Sequence, residues 1–109
     1  MAETYKNARA ALTTSYATVY TCPASTTALV LLAQAANVDG TNSVDVSAQW
    51  LDDSAADVAT RLIDGMALPA KSAENLIGGP ITLEAGDQFQ AKASAASDAE
   101  LTLAIVEIT

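Results

Sequence analysis

From Pro80 to Thr109 apolar and polar residues mostly alternate with a period of two, and no other stretch constrains the fold as much. Ile81-Thr82-Leu83 opens it and Glu84-Ala85-Gly86-Asp87 turns. Phe89, Ala91 and Ala93 then share a face, Ser97-Asp98 turns again, and Leu101 to Ile108 closes the chain. Period two places successive side chains on opposite sides of an extended backbone, so the stretch reads as strands. The last strand departs from simple alternation. Leu101, Leu103 and Ile105 share one face, while Ala104, Val106 and Ile108 share the other. A strand that is apolar on both faces is covered on both. The strand is either central between covered faces or meets another subunit with its second face; Val106 and Ile108 are accordingly expected in or beside a subunit interface, with Tyr5 and Trp50 as further interface anchors.

Other segments carry the same signature. Thr13 to Cys22 is rich in β-branched and aromatic residues and ends at Pro23-Ala24-Ser25. Thr27 to Asn37 reads as a buried central strand, although its leucines and alanines also suit a helix. Asp39-Gly40-Thr41-Asn42 is the strongest turn signal, and Val44, Val46, Ala48 and Trp50 then alternate with polar residues. These two segments are expected to form a hairpin. Val58–Ile63 and Leu76-Ile77 are further short strands. Cys22-Pro23-Ala24-Ser25-Thr26 and Leu68-Pro69-Ala70-Lys71-Ser72 share a layout, a strand end followed by Pro-Ala and a polar residue. About eight short strands between Gly, Pro and Asp turns predict an all-β fold: an antiparallel two-sheet sandwich of jelly-roll type. Residues 13–109 are expected to form this single β-sandwich domain, with 1–12 as an N-terminal arm or short helix. Phe89, Trp50, Leu83, Leu101, Leu103, Ile105, Val44 and Val46 are the expected core.

Charge and composition exclude whole classes of function. The 109 residues suit one domain, and 13 acidic against 5 basic residues give a net charge of −8. A phosphate backbone or an anionic membrane surface would repel this chain, so neither nucleic acid nor membrane is an expected partner. The start lacks the layout of a signal peptide, and the longest apolar run, Ala28 to Ala36, is too short to span a bilayer. Half of the residues are hydrophobic, which points to permanent subunit contacts in a small domain.

Catalytic chemistry has little to work with. There is no histidine, so the commonest general base and metal ligand is missing. Cys22 is the only cysteine; it has no base to activate it and reads as a small buried hydrophobe at a strand end. Asp52, Asp53 and Asp57, and the Asn37–Asn42 turn, read as solvated turns rather than carboxylate pairs or a calcium loop. Gly78-Gly79 is followed by Pro80, not by the Lys-Ser/Thr of a phosphate loop. Neither an enzyme nor a cofactor is expected.

The order of pieces is itself distinctive. Tyr16-x-x-x-Tyr20-x-Cys22-Pro23-Ala24 leads to an apolar strand ending Ala36-Asn37-Val38-Asp39-Gly40. Trp50-x-Asp52, Leu68-Pro69-Ala70 and Gly78-Gly79-x-Ile81-x-Leu83-Glu84-Ala85-Gly86-Asp87 follow, and the chain closes on Val106-Glu107-Ile108. From Ser15 to Ile108 this resembles the small β-sandwich structural proteins of tailed bacteriophages, which include head decoration (cement) proteins and tail or neck components. The resemblance implies a virion protein without enzymatic activity, often trimeric. It would be assembled in the host cytoplasm and bind the major capsid protein on the capsid surface. A tail, neck or fibre component is the first alternative. A carbohydrate-binding sandwich that uses Tyr5 or Trp50 as a platform is the second. A cupin-type enzyme is disfavoured because the usual metal-binding histidines are absent.

Overall fold

The computed structural model describes residues 2–109. It is all-β, with nine strands among the described residues: β1 (Glu3–Ala11), β2 (Ala17–Thr21), β3 (Thr27–Asn37), β4 (Val44–Asp52), β5 (Val58–Leu68), β6 (Ala73–Asn75), β7 (Ile81–Leu83), β8 (Gln88–Ala93) and β9 (Ala99–Ile108). One turn of 3-10 helix, Asp53–Ala55, joins β4 to β5.

The strands form two antiparallel sheets. A five-stranded sheet runs β1-β9-β3-β6, with β7 also on β3, and a four-stranded sheet runs β2-β8-β4-β5. This is jelly-roll order. β6 pairs with Gln34–Ala36 and β7 with Ala28–Val30, so the two lie end to end along β3 as one interrupted edge. The interruption falls where β3 itself slips register between Val30 and Leu32. Leu76 N donates to Ala33 O (2.7 Å), and Asn75 Oδ1 accepts from Ala33 N (3.0 Å), which bridges the gap. Eight jelly-roll strands therefore appear as nine.

One core fills the space between the sheets. Val30, Ala33, Leu83, Leu101, Leu103 and Ile105 enter from the first sheet, and Val44, Val46, Ala48, Leu68, Phe89 and Ala91 from the second. All of the expected core is buried except Trp50, which is half-buried and packs against the cluster.

Several local expectations need correction. The N-terminal stretch is neither an arm nor a helix: Glu3–Ala11 is strand β1, paired with β9 along its whole length. Ala8 and Ala10 pack on the core, and the open edge of β9 outweighs the helix propensity of the alanines. Thr27–Asn37 is a strand throughout, but it makes no hairpin with β4, because β3 and β4 lie in different sheets. Asn37 holds that crossing. Its Nδ2 donates to Asn42 O (3.0 Å) and Leu68 O (2.9 Å), while its Oδ1 accepts from Asp39 N (2.9 Å). Val58 to Leu68 is one bulged strand with Gly65 at φ +76, and the strand expected at Leu76-Ile77 ends at Asn75.

Candidate assembly surface

Alternation on β9 separates two apolar groups. Leu101, Leu103 and Ile105 enter the core, whereas Val106 is only 7 % exposed yet does not belong to the cluster between the sheets. Its cover comes from the flanking strands, with Tyr5 opposite on β1 and Leu29 opposite on β3. Ile108, half-buried, lies two residues further along the same face. The β3 bulge adds to this surface. Leu31 is the extra residue and is 42 % exposed, and Leu32 resumes pairing opposite Ala104. Tyr5 is 77 % exposed. The outer face of the five-stranded sheet thus carries Tyr5, Leu29, Leu31, Leu32, Val106 and Ile108, with no layer of the described residues over them.

Three of the four expected interface residues, Tyr5, Val106 and Ile108, are brought together on this face. Trp50 is not: it sits in the second sheet, opposite Phe89 on β8 and Thr60 on β5. Tyr5 and Trp50 therefore do not form a common aromatic platform. Leu31 and Leu32 were not legible as members of the face, because a bulge shifts which side chains share a side and leaves no mark in the alternation.

The same end of β9 also binds the two sheets to each other through the residue between Val106 and Ile108. Tyr20 Oη on β2 donates to Glu107 Oε2 (2.6 Å), and Lys6 Nζ on β1 lies 3.3 Å from Glu107 Oε1. The Tyr20 hydrogen bond, followed by Lys6, holds the Glu107 carboxyl below its ordinary value. Burial first, then the same bond, pushes the Tyr20 phenol up. A depressed carboxyl stabilises the fold above its unfolded value, and that contribution is lost as pH falls through the folded value. Wild-type stability should therefore decline as pH drops below 4.5, the ordinary value for this carboxyl. Asp39, lowered chiefly by the Thr41 N–H, adds to the decline. Urea midpoints of wild type and Glu107→Gln should differ most at neutral pH and converge in acid. A gap that stays constant across pH would refute this role for Glu107.

The outer face of the four-stranded sheet is polar instead. Arg61 Nη1 donates to Gln49 Oε1. Gln49 Nε2 donates to Gln90 Oε1 (2.7 Å), Gln90 Nε2 to Thr18 Oγ1 (3.1 Å), and Thr18 Oγ1 to Gln88 Oε1 (2.5 Å). This row crosses all four strands. Arg61 and Lys92 both approach the Tyr16 ring, at 4.9 and 4.8 Å from its centroid. The alternate placing of Gln88 and Gln90 was the available signal, but it does not identify the strand across from them.

The candidate catalytic side chains are engaged in structural contacts. Cys22 is 1 % exposed and donates to Thr26 O (3.3 Å), and burial pushes its thiol up. Asp52 caps the 3-10 turn through Ser54 N, and Asp39 accepts from Thr41 N (2.8 Å), so these carboxylates are engaged in turn chemistry. Among the described residues no three His, Cys, Asp or Glu side chains gather as a metal-binding group. No described helix is long and apolar enough to cross a membrane.

Comparison with known proteins places the fold and nothing finer. No protein-family model matches the chain, and no curated protein matches it. Among solved structures, it is similar to a chain from Bacillus endospore appendages, which form a family of disulfide-linked pili. The TM-score is 0.59 at 13 % identity, over 99 % of this chain and 87 % of that one. It is also similar to a chain of infectious bursal disease virus, Gx strain, with a TM-score of 0.50 at 10 % identity. That match covers 98 % of this chain but 33 % of the viral one, so the present chain spans about a third of that relative. The likeness is one of fold. At these identities it carries over no residue role.

Proposed function

We propose that this chain is a non-enzymatic virion structural protein, a decoration subunit that seats on an assembled phage head where major capsid protein subunits meet. The outer apolar face of the five-stranded sheet carries this reading. Tyr5, Leu29, Leu31, Leu32, Val106 and Ile108 form a surface that the core does not use. Covering such a face contributes about 25 cal/mol per Å² of apolar area removed from water, which opposes the opening of a capsid junction under internal pressure. The acidic remainder of the surface would then be turned outward. The fold shared with a viral chain and a pilus chain is compatible with such a role.

The test uses heads assembled without this protein. Added wild type should restore density at local threefold positions on the capsid surface, and Leu31→Asp, at a position 42 % exposed in the single chain, should fail to do so while remaining folded, because only the contact would bury its unpaired charge. If Leu31→Asp restores the density, the face is not the contact. If wild type adds none, the decoration reading falls.

A tail or neck position is the second reading, favoured by the likeness to a chain that builds pili. Copy number separates the two, since a decoration protein scales with the capsid lattice and a tail or neck component does not. Disulfide linkage, which describes that pilus family, would not operate here through the buried Cys22.

A further inference from the structure

The two sheets end in strands of very different quality. β2 has five residues and a register shift, β5 has two register shifts and a left-handed Gly65, and β6 and β7 have three residues each. β1 has nine residues, no proline, no glycine, and an unbroken register on β9. Bulges, short length and proline are how proteins blunt an edge against pairing, and β1 has none of them. A lysine on the edge also protects it, but the Lys6 side chain is held by Glu107.

The direction of its free hydrogen-bonding groups follows from the ladder. Ala2 and Thr109 exchange both backbone hydrogen bonds (3.0 and 2.9 Å), and Leu12 N donates to Ala99 O (2.9 Å). In an antiparallel pair such residues alternate, so the even-numbered positions of β1 point their N–H and C=O groups at β9. Glu3, Tyr5, Asn7, Arg9 and Ala11 point theirs away, at the open edge, and their side chains lie on the Val106 face.

We propose that β1 is a self-complementary edge, through which two copies of this chain pair β1 against β1, antiparallel, about a twofold axis at Asn7. Among the described residues the one longer edge, β5, is bulged and no other edge is as long and as regular as β1, so a second β1 is its best partner. This register overlaps the whole strand and pairs the outward-pointing positions with one another. Tyr5 faces the second copy's Arg9, Glu3 lies diagonal to that same Arg9, and Lys6 faces Ala8; the two Lys6 residues are diagonal to each other, but each is paired with its own Glu107, so no like charges stand directly opposite. The five-stranded sheets of the two copies become one continuous sheet, and their apolar outer faces become one surface. This goes beyond the virion reading and does not depend on it, since the contact would form in any particle.

The test uses the full chain. Asn7→Pro removes an outward N–H while leaving every bond to β9 in place. Sedimentation should show a species of about half the wild-type mass, with the thermal midpoint of dilute protein unchanged. Asn7→Cys places two thiols on the axis with Cα atoms about 5.5 Å apart, within disulfide range, and mild oxidation should yield covalent pairs. Ala11→Cys, about 27 Å from its mate in this register, should not crosslink. Wild type that is monomeric at every concentration, an unchanged mass for Asn7→Pro, or equal crosslinking at both cysteines would overturn the proposal. Should Asn7→Pro fail to fold, the cysteine pair still decides. Head binding scored separately shows whether the virion reading stands or falls independently.

Discussion

Replacing Asp87 by alanine should lower unfolding stability by about 3–5 kcal/mol, a large share of the roughly 5–15 kcal/mol typical of a domain. The side chain is 2 % exposed. Its Oδ1 accepts from Asp53 N (2.9 Å) on the β4–β5 connection, and its Oδ2 accepts from Glu84 N (2.9 Å) in its own turn. The Asp87 backbone adds a third tie, since Cys22 N donates to Asp87 O (2.9 Å) and Gly86 N donates to Cys22 O (2.9 Å). Asp87 therefore joins the ends of β2, β4 and β7 at one end of the sandwich. Alanine leaves two N–H groups without acceptors, and such groups cost about 1–3 kcal/mol each. Asp87→Asn, which keeps the volume but turns an NH₂ toward one of them, should lose roughly half as much. Urea unfolding of the three proteins gives the series, and a loss under about 1 kcal/mol for alanine would show that the corner does not depend on this carboxylate. Gly86 belongs to the same corner: its φ is +87, and a Cβ there would sit 2.6 Å from the Asp53 carboxyl carbon.

Phe89→Ala should destabilise by about 3–5 kcal/mol, and Phe89→Leu by about 1–1.5 kcal/mol. Phe89 has no exposed surface and lies between Tyr20 on β2 and Trp50 on β4, so three aromatic rings stand in register across the inner face of the second sheet. Alanine leaves a cavity and also removes the neighbour that seats Tyr20, whose hydroxyl binds Glu107. The losses for Phe89→Ala and Tyr20→Phe should therefore fall short of or exceed their sum in the double variant. Strict additivity in urea or thermal unfolding would show that Tyr20 is positioned without Phe89.

Thr27–Asn37 is the central strand that its apolar run between turns suggests over the rival helix, but only its inner face is covered: Leu31 on the outer side is 42 % exposed. The shared Pro-Ala layout also corresponds to a real structural echo. Ser25 (φ 57) and Lys71 (φ 63) take the same left-handed turn, and each turn carries the chain from the four-stranded sheet to the five-stranded one. The supposed β3–β4 hairpin failed for a physical reason. A turn signal shows where the chain reverses, but six residues, 38–43, are enough to cross between sheets about 10 Å apart. β1 was missed because alanine-rich sequence favours a helix locally, and only the vacant edge of β9 makes it a strand.

By itself the sequence determined most of the strands from β2 onward and, along them, which side chains face inward. Both follow from local alternation, and Leu101, Leu103 and Ile105 show it directly. It also determined the absence of histidine chemistry, since residue type alone decides that. The tertiary structure decided which sheet each strand joins, that Leu31 and Leu32 share a face with Val106, and that Tyr20, Lys6 and Glu107 meet. Period two states which side of a strand a residue occupies but not what lies across from it. The partner is chosen by hydrogen-bond register with segments far away in the chain, and one bulge is enough to change which residues form the surface.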